Sequence, residues 1–153
     1  MLDPIVKTVT VPCPQQQAFE IFADMASWWP LDKRSMSLMR AEAPAKSLSV
    51  DPRLGGRIVE RAADDVEHHW GTFTAFEPHA RIEMDFHMGL PADKTGQVEV
   101  IFQPTTEGQT RVVLTHKNWE GYEDMAEMMY QGYGGSWSLL FEDHYAGRCA
   151  ELV

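Results

Sequence analysis

The groups best suited to chemistry in this 153-residue sequence are a few of its six histidines. His116 falls in an alternating stretch, Thr110 to Asn118, where parity puts it on one side with Val112 and Leu114. A lone polar ring on an apolar face must find a partner, or its burial costs roughly 1–3 kcal/mol. The plain reading is a core histidine bonded to backbone. The functional reading is a group at a cavity mouth that orients a ligand carbonyl or carboxylate. His144 shares a helical face with Trp137, Leu140 and Phe141, and reads best as a half-exposed packing residue. His68 and His69 are adjacent, so a strand sends them to opposite faces and they chelate one metal poorly. No cysteine or carboxylate spacing completes a zinc site, and no metal is expected.

Other chemistries find less support. Ser136, in Gly134-Gly135-Ser136-Trp137-Ser138, lacks the closing glycine of a nucleophile elbow and precedes a helix without a parallel sheet. There is no phosphate-binding loop and no dinucleotide fingerprint, so no cofactor is expected. The acids Asp64, Asp65 and Glu67 read as a solvated turn. Glu120, Glu123, Asp124 and Glu127 read as a charged helix start, where the helix dipole welcomes them. Glu60 and Arg61, or Asp85 with an arginine of a neighbouring strand, are candidate cavity polar groups, and the parity of the strand carrying Glu60 stays open. Nine methionines and five tryptophans are many for this length. Methionine fills cores, and it also makes adaptable walls around apolar ligands.

Composition narrows the field further. With 13 Lys+Arg against 23 Asp+Glu, the formal net charge is −10. Such a surface repels phosphate backbones and anionic bilayers, so neither nucleic acid nor membrane is an expected partner. Two cysteines, Cys13 and Cys149, do not make a disulfide framework, and two reduced thiols in a cytoplasmic protein are expected. No apolar run approaches the ~20 residues of a membrane span, and no signal peptide is visible.

These residues need elements to hold them. Ile5 to Val11 alternates and is β-branched, which predicts a strand. Pro14 suits a helix start, and Ala18, Ile21, Phe22 and Met25 then mark one helical face. Trp28-Trp29-Pro30 closes that helix, and residues 31 to 47 read as loop with one short helical turn. Six further strands are predicted at Ser47 to Val50, Arg57 to Ala62, Glu67 to Glu77, Arg81 to Met88, Gln97 to Phe102 and Thr110 to Asn118. Gly89 to Gly96 is a longer loop that could serve as a lid. The remainder is helical, with a kink or a new start expected at Gly134-Gly135. Sequential hairpins imply an antiparallel sheet covered by the last helix, in one domain spanning 1–153.

The order of these pieces resembles the SRPBCC superfamily, and within it the activator-of-heat-shock-ATPase homologues. The matching segments are Trp28-Trp29-Pro30, Asp51 to Gly56, Gly71 to Pro78, Gly108-Gln109-Thr110-Arg111-Val112 and Gly135-Ser136-Trp137. That resemblance implies an α+β helix-grip, START-like fold: a curved antiparallel sheet of about seven strands around a long C-terminal helix. It also implies an apolar cavity between them that takes small hydrophobic molecules. Many relatives carry a histidine ahead of the Gly-Trp pair of the last helix. Here Met128 to Tyr133 occupy that stretch, so no role is carried over from it.

The expected lining is Trp29, Phe73, Met84, Phe86, Val100, Phe102, Leu114, His116, Trp137 and Phe141, with no catalytic residue. Three functions follow in order. The first is a binding protein for a small hydrophobic molecule, as monomer or homodimer. The second is an interaction module with a protein partner such as a chaperone. The third is a cyclase- or hydrolase-type enzyme using His116 or His144.

Overall fold

A computed structural model describes residues 2–37 and 43–152. The centre of the loop read over 31–47 lies outside the described residues. Seven strands form one antiparallel sheet in the order β1-β7-β6-β5-β4-β3-β2. They are β1 (Ile5–Val11), β2 (Ser47–Val50), β3 (Arg57–Arg61), β4 (Glu67–Glu77), β5 (Arg81–Phe86), β6 (Gly96–Pro104) and β7 (Thr110–Lys117). Strand β1 has no sequence neighbour to pair with, and closes the edge beside β7, with Ile5 opposite His116 and Val9 opposite Val112.

Alternation dictates the core. On β5, Ile82, Met84 and Phe86 point inward; on β6, Val98, Val100 and Phe102 do; on β7, Val112, Leu114 and His116 do. Breaks in register between Ile58 and Val59 and between Phe73 and Ala75 mark where the sheet bends. On the other face Arg81 bridges Glu77, Glu83 and Glu99, and Lys117 joins Glu83 and Glu99.

Helix α1 (Gln15–Ala23) starts from Pro14, which stands just outside the helix as its cap rather than as its first residue. It buries Ala18, Phe19, Ile21 and Phe22. A 3-10 turn, Met25–Ser27, then delivers the two tryptophans. Trp28 Nε1 donates to the Ile21 carbonyl at 3.0 Å, and Trp29 Nε1 to the Arg34 carbonyl at 2.8 Å. Both rings are thereby buried without an orphaned N–H.

After β7 a 3-10 segment, Trp119–Met125, leads into a continuous helical run: α2 (Ala126–Trp137), a π-helical stretch (Ser138–Tyr145) and α3 (Ala146–Glu151). The kink expected at Gly134-Gly135 is absent, because both glycines sit inside α2. The irregularity lies one turn later, in the π stretch. Wider turns there step the buried stripe by fours, from Phe141 to Tyr145 to Cys149. His144 and Arg148, which regular spacing puts on that stripe, are displaced toward the rim and stay half-buried. Tyr145 Oη donates to the Ala18 carbonyl at 2.7 Å and ties this helix to α1.

Candidate functional site

A closed polar relay forms the inner end of the site. His116 is fully buried on β7. Its Nδ1 accepts the indole N–H of Trp137 at 3.0 Å. Its Nε2 lies 2.8 Å from Tyr122 Oη, and that hydroxyl donates to the Phe86 carbonyl. The tautomer follows: an indole nitrogen only donates, so Nδ1 is bare, and the Tyr122 proton is committed to Phe86, so Nε2 carries the hydrogen. Burial pushes the His116 pKa down to about 3, which keeps the ring neutral at ordinary pH. Trp119 covers it with ring centroids 4.0 Å apart. Both nitrogens are occupied, so the plain reading of His116 describes its bonding, with side chains rather than backbone as partners.

Local sequence explains how Tyr122 arrives. Asn118 takes the left-handed conformation that turns the chain off β7. A Cβ on Gly96 would stand 2.6 Å from the Tyr122 ring, so this position has to be bare.

Tyr133, on α2, connects the relay to an opening. Its ring lies 5.4 Å from His116, 5.5 Å from Phe86 and 5.5 Å from Trp137. It also lines a groove of about 410 Å³. One wall is α2, with Met128, Met129, Gly132 and Ser136. Met88 and Leu90, from the loop after β5, form the second; Arg34 and Met36, from the segment after Trp29, form the third. This volume falls in the range of small-molecule sites. Gly132 matters by what it lacks: a Cβ there would meet nothing within 4 Å, so its bareness leaves space in the groove.

Few polar groups reach this groove. Arg34 Nε donates to Ser136 Oγ at 3.1 Å, and Arg34 Nη1 to the Lys33 carbonyl at 2.9 Å. Ser136 Oγ in turn donates to the Gly132 carbonyl at 2.7 Å. Burial raises the Tyr133 phenol pKa, and the nearby Arg34 guanidinium works against that rise.

Behind the third wall stands Glu60, fully buried on β3. Its carboxylate accepts the backbone N–H of Met36 at 2.8 Å, that of Ser37 at 2.6 Å, the Ser37 hydroxyl, and Trp70 Nε1 at 2.9 Å. Glu60 therefore clamps the segment that carries Met36. Ile58 and Glu60 share parity, which was the signal in the sequence, but Val59 competes for the inward side.

All ten residues expected to line a cavity are buried, none more than 4% exposed. Trp29, Phe86, His116 and Trp137 come together beneath Tyr133, with Trp29 also against Trp70 at 4.8 Å. Phe102 and Phe141 pack instead around Phe22, and Phe73 packs against Phe76. Met84, Val100 and Leu114 fill the middle of the sheet. None of the ten walls the methionine groove, nor any of three further concavities along the described residues. The widest of those, about 570 Å³, runs between α1 and β2 over Phe19, Phe76 and Val50. His144 lines a shallow one with Asp143 and Arg148.

Among the described residues no three His, Cys, Asp or Glu side chains converge as metal ligands. Cys13 and Cys149 are buried beside each other, and burial pushes the Cys149 thiol up to about 12. No helix among the described residues is long and apolar enough to cross a membrane.

Comparison with known proteins places this geometry in context. The family model described as Activator of Hsp90 ATPase homolog 1-like protein matches residues 12–142. No curated protein sequence matches significantly. Among solved structures, the anthrahydroquino-gamma-pyrone synthase Txn09 is similar at 25% identity and a TM-score of 0.64, covering 99% of this chain and 97% of that one. The self-sacrificing resistance protein CalC from Micromonospora echinospora aligns at 19% identity and a TM-score of 0.71, over 97% and 95%. An HSP90 activator from Plasmodium falciparum aligns at 21% identity and a TM-score of 0.53, over 75% and 72%.

Proposed function

This chain belongs to the Activator of Hsp90 ATPase homolog 1-like family, and from that premise we propose that it binds a small hydrophobic molecule in the methionine groove. The observation that carries the reading is a groove of about 410 Å³ with four methionines in its walls and Tyr133 resting on the buried relay. Methionine walls adapt to a ligand's shape, and apolar burial would supply most of the affinity at roughly 25 cal/mol per Å² before association costs. Trp29, Phe86, His116 and Trp137 serve as the rigid floor under Tyr133, and the loop with Met88 and Leu90 as the movable side. Similarity to a synthase, Txn09, supports small-molecule recognition in a chain of this shape.

Thermal unfolding against fatty acids, sterols, flavonoids, aromatic polyketides and acyl thioesters tests this. A ligand at a hundred times its dissociation constant adds about 2.7 kcal/mol, or several degrees for a domain of this size. One chemical class should shift the wild type and leave Gly132→Phe, whose ring fills the groove, unshifted. No shift with any class, or an equal shift in both proteins, overturns the reading.

A second reading is supported by the packed inner face, where Trp29, Phe86, His116 and Trp137 lie ring against ring. A self-filled domain of this family would act as a protein-interaction module, and the Plasmodium falciparum neighbour is an HSP90 activator. Stimulation of an HSP90-class ATPase by this chain, undiminished in Gly132→Phe, would favour it.

A further inference from the structure

We infer that the ligand of the methionine groove is a hydrophobic anion, an apolar body ending in a carboxylate that Arg34 receives. This rests on the groove being the binding site. Charge complementarity carries the inference. The chain as a whole is strongly acidic, with a net charge of −10. Yet among the described residues the lining of this groove holds no Asp or Glu, and its one charged member there is the Arg34 guanidinium.

Arg34 is fixed in place and incompletely used. Nε is held by Ser136 on α2, and Nη1 by the carbonyl of Lys33. Nη2 makes no hydrogen bond or ion pair to any described residue, and the side chain is exposed at the rim. Its two anchors orient the guanidinium plane before any ligand arrives, which limits the entropy lost on binding. A guanidinium so held offers a charge-assisted hydrogen bond to an oxyanion. Tyr133 lines the same groove, and burial keeps its phenol protonated, so it brings no charge that would repel an anion. The remaining lining is sulfur and hydrocarbon, with Ser136 Oγ already engaged by Arg34 and Gly132. A cationic head would meet the guanidinium with no carboxylate among the described lining residues to offset it. A neutral apolar molecule would leave the charge at the rim unused.

The test is a matched series: 2-naphthoate, 2-naphthamide and 2-naphthylmethylamine, titrated into the full chain by calorimetry. In the wild type, naphthoate should bind about tenfold tighter than the amide, and the amine weakest. Arg34→Gln should collapse the acid-over-amide ratio toward one, and Arg34→Lys should restore part of it. Raising the salt should erode the naphthoate preference, because the contact sits at a wet rim. Equal affinities across the three in the wild type, or a ratio that survives Arg34→Gln, overturns the anion assignment while the groove stands as a site. If none of the three binds saturably, or all bind Gly132→Phe as well as wild type, the groove reading itself fails, and this inference with it.

Discussion

The indole nitrogen of Trp137 donates to Nδ1 of His116 across 3.0 Å, joining the C-terminal helix to the middle of the sheet by one buried hydrogen bond. The bond decides what His116 can do. With Nδ1 filled by an indole and Nε2 committed to Tyr122, the imidazole has no free nitrogen to give a substrate. It acts as a pillar of the fold that the groove rests on.

Acid should therefore weaken the protein through this ring. The folded His116 pKa is lowered to about 3, against an unfolded value of 6.5, so the unfolded state takes up the proton first. Stability is fully present above about pH 6.5 and falls as pH drops toward 3. From pH 7.5 to 5 the loss from this group is about 2 kcal/mol. His87 and His69, whose pKa values burial also lowers, add in the same direction. Urea unfolding at both pH values should show the decline, and His116→Leu should flatten its share. An unchanged slope in the variant would contradict the assignment. The same variant should cost about 1–3 kcal/mol at pH 7.5, because Trp137 Nε1 is left without an acceptor.

Glu60 should matter more than its surface neighbours. Glu60→Gln turns one of its acceptor oxygens into a donor facing other donors, at a cost of about 1–3 kcal/mol. Hydrogen exchange at the Met36 and Ser37 amides should accelerate in the variant. Glu107→Gln, on an exposed turn, should move stability by less than about 0.5 kcal/mol. Equal effects at the two sites would remove the clamp from the account.

Gly132 is a trade between helix stability and open volume. Nothing lies within 4 Å of a Cβ at this position. Gly132→Ala should raise stability by about 0.5–1 kcal/mol, since glycine disfavours a helix interior. Chemical denaturation reads this directly, and a loss of stability would show that the glycine has a structural role instead.

The two buried thiols should be inert in the native protein. Burial raises both pKa values, so at pH 7.5 almost no thiolate is present. A chromogenic disulfide reagent should titrate none of the two cysteines until denaturant is added. Rapid native labelling would contradict their burial.

Much of the fold was legible because burial in an antiparallel sheet writes itself as alternation. Ile82-Glu83-Met84-Asp85-Phe86 allows one register and one inward face. Strand ends were harder. Parity continues through His87 and Met88, but Met88 takes a left-handed backbone that ends β5 at Phe86. No residue type at a given spacing marks the π stretch, in which Phe141 and Tyr145 pack against Phe22 of α1. Alternation reports which residues face inward, and it says nothing of whether the interior is hollow. The groove went unseen for the same reason. Its walls come from three separate segments, 34–36, 88–90 and 128–136, and one of its determinants is an absent side chain.

The most direct test of the central claim is a titration of methionine methyl resonances with 2-naphthoate. Met36, Met88, Met128 and Met129 line the groove, whereas Met25 and Met84 are buried elsewhere in the core. The four groove methyls should shift saturably together while Met25 and Met84 stay in place. Shifts led by Met25 or Met84, or no saturable shift at all, would contradict it.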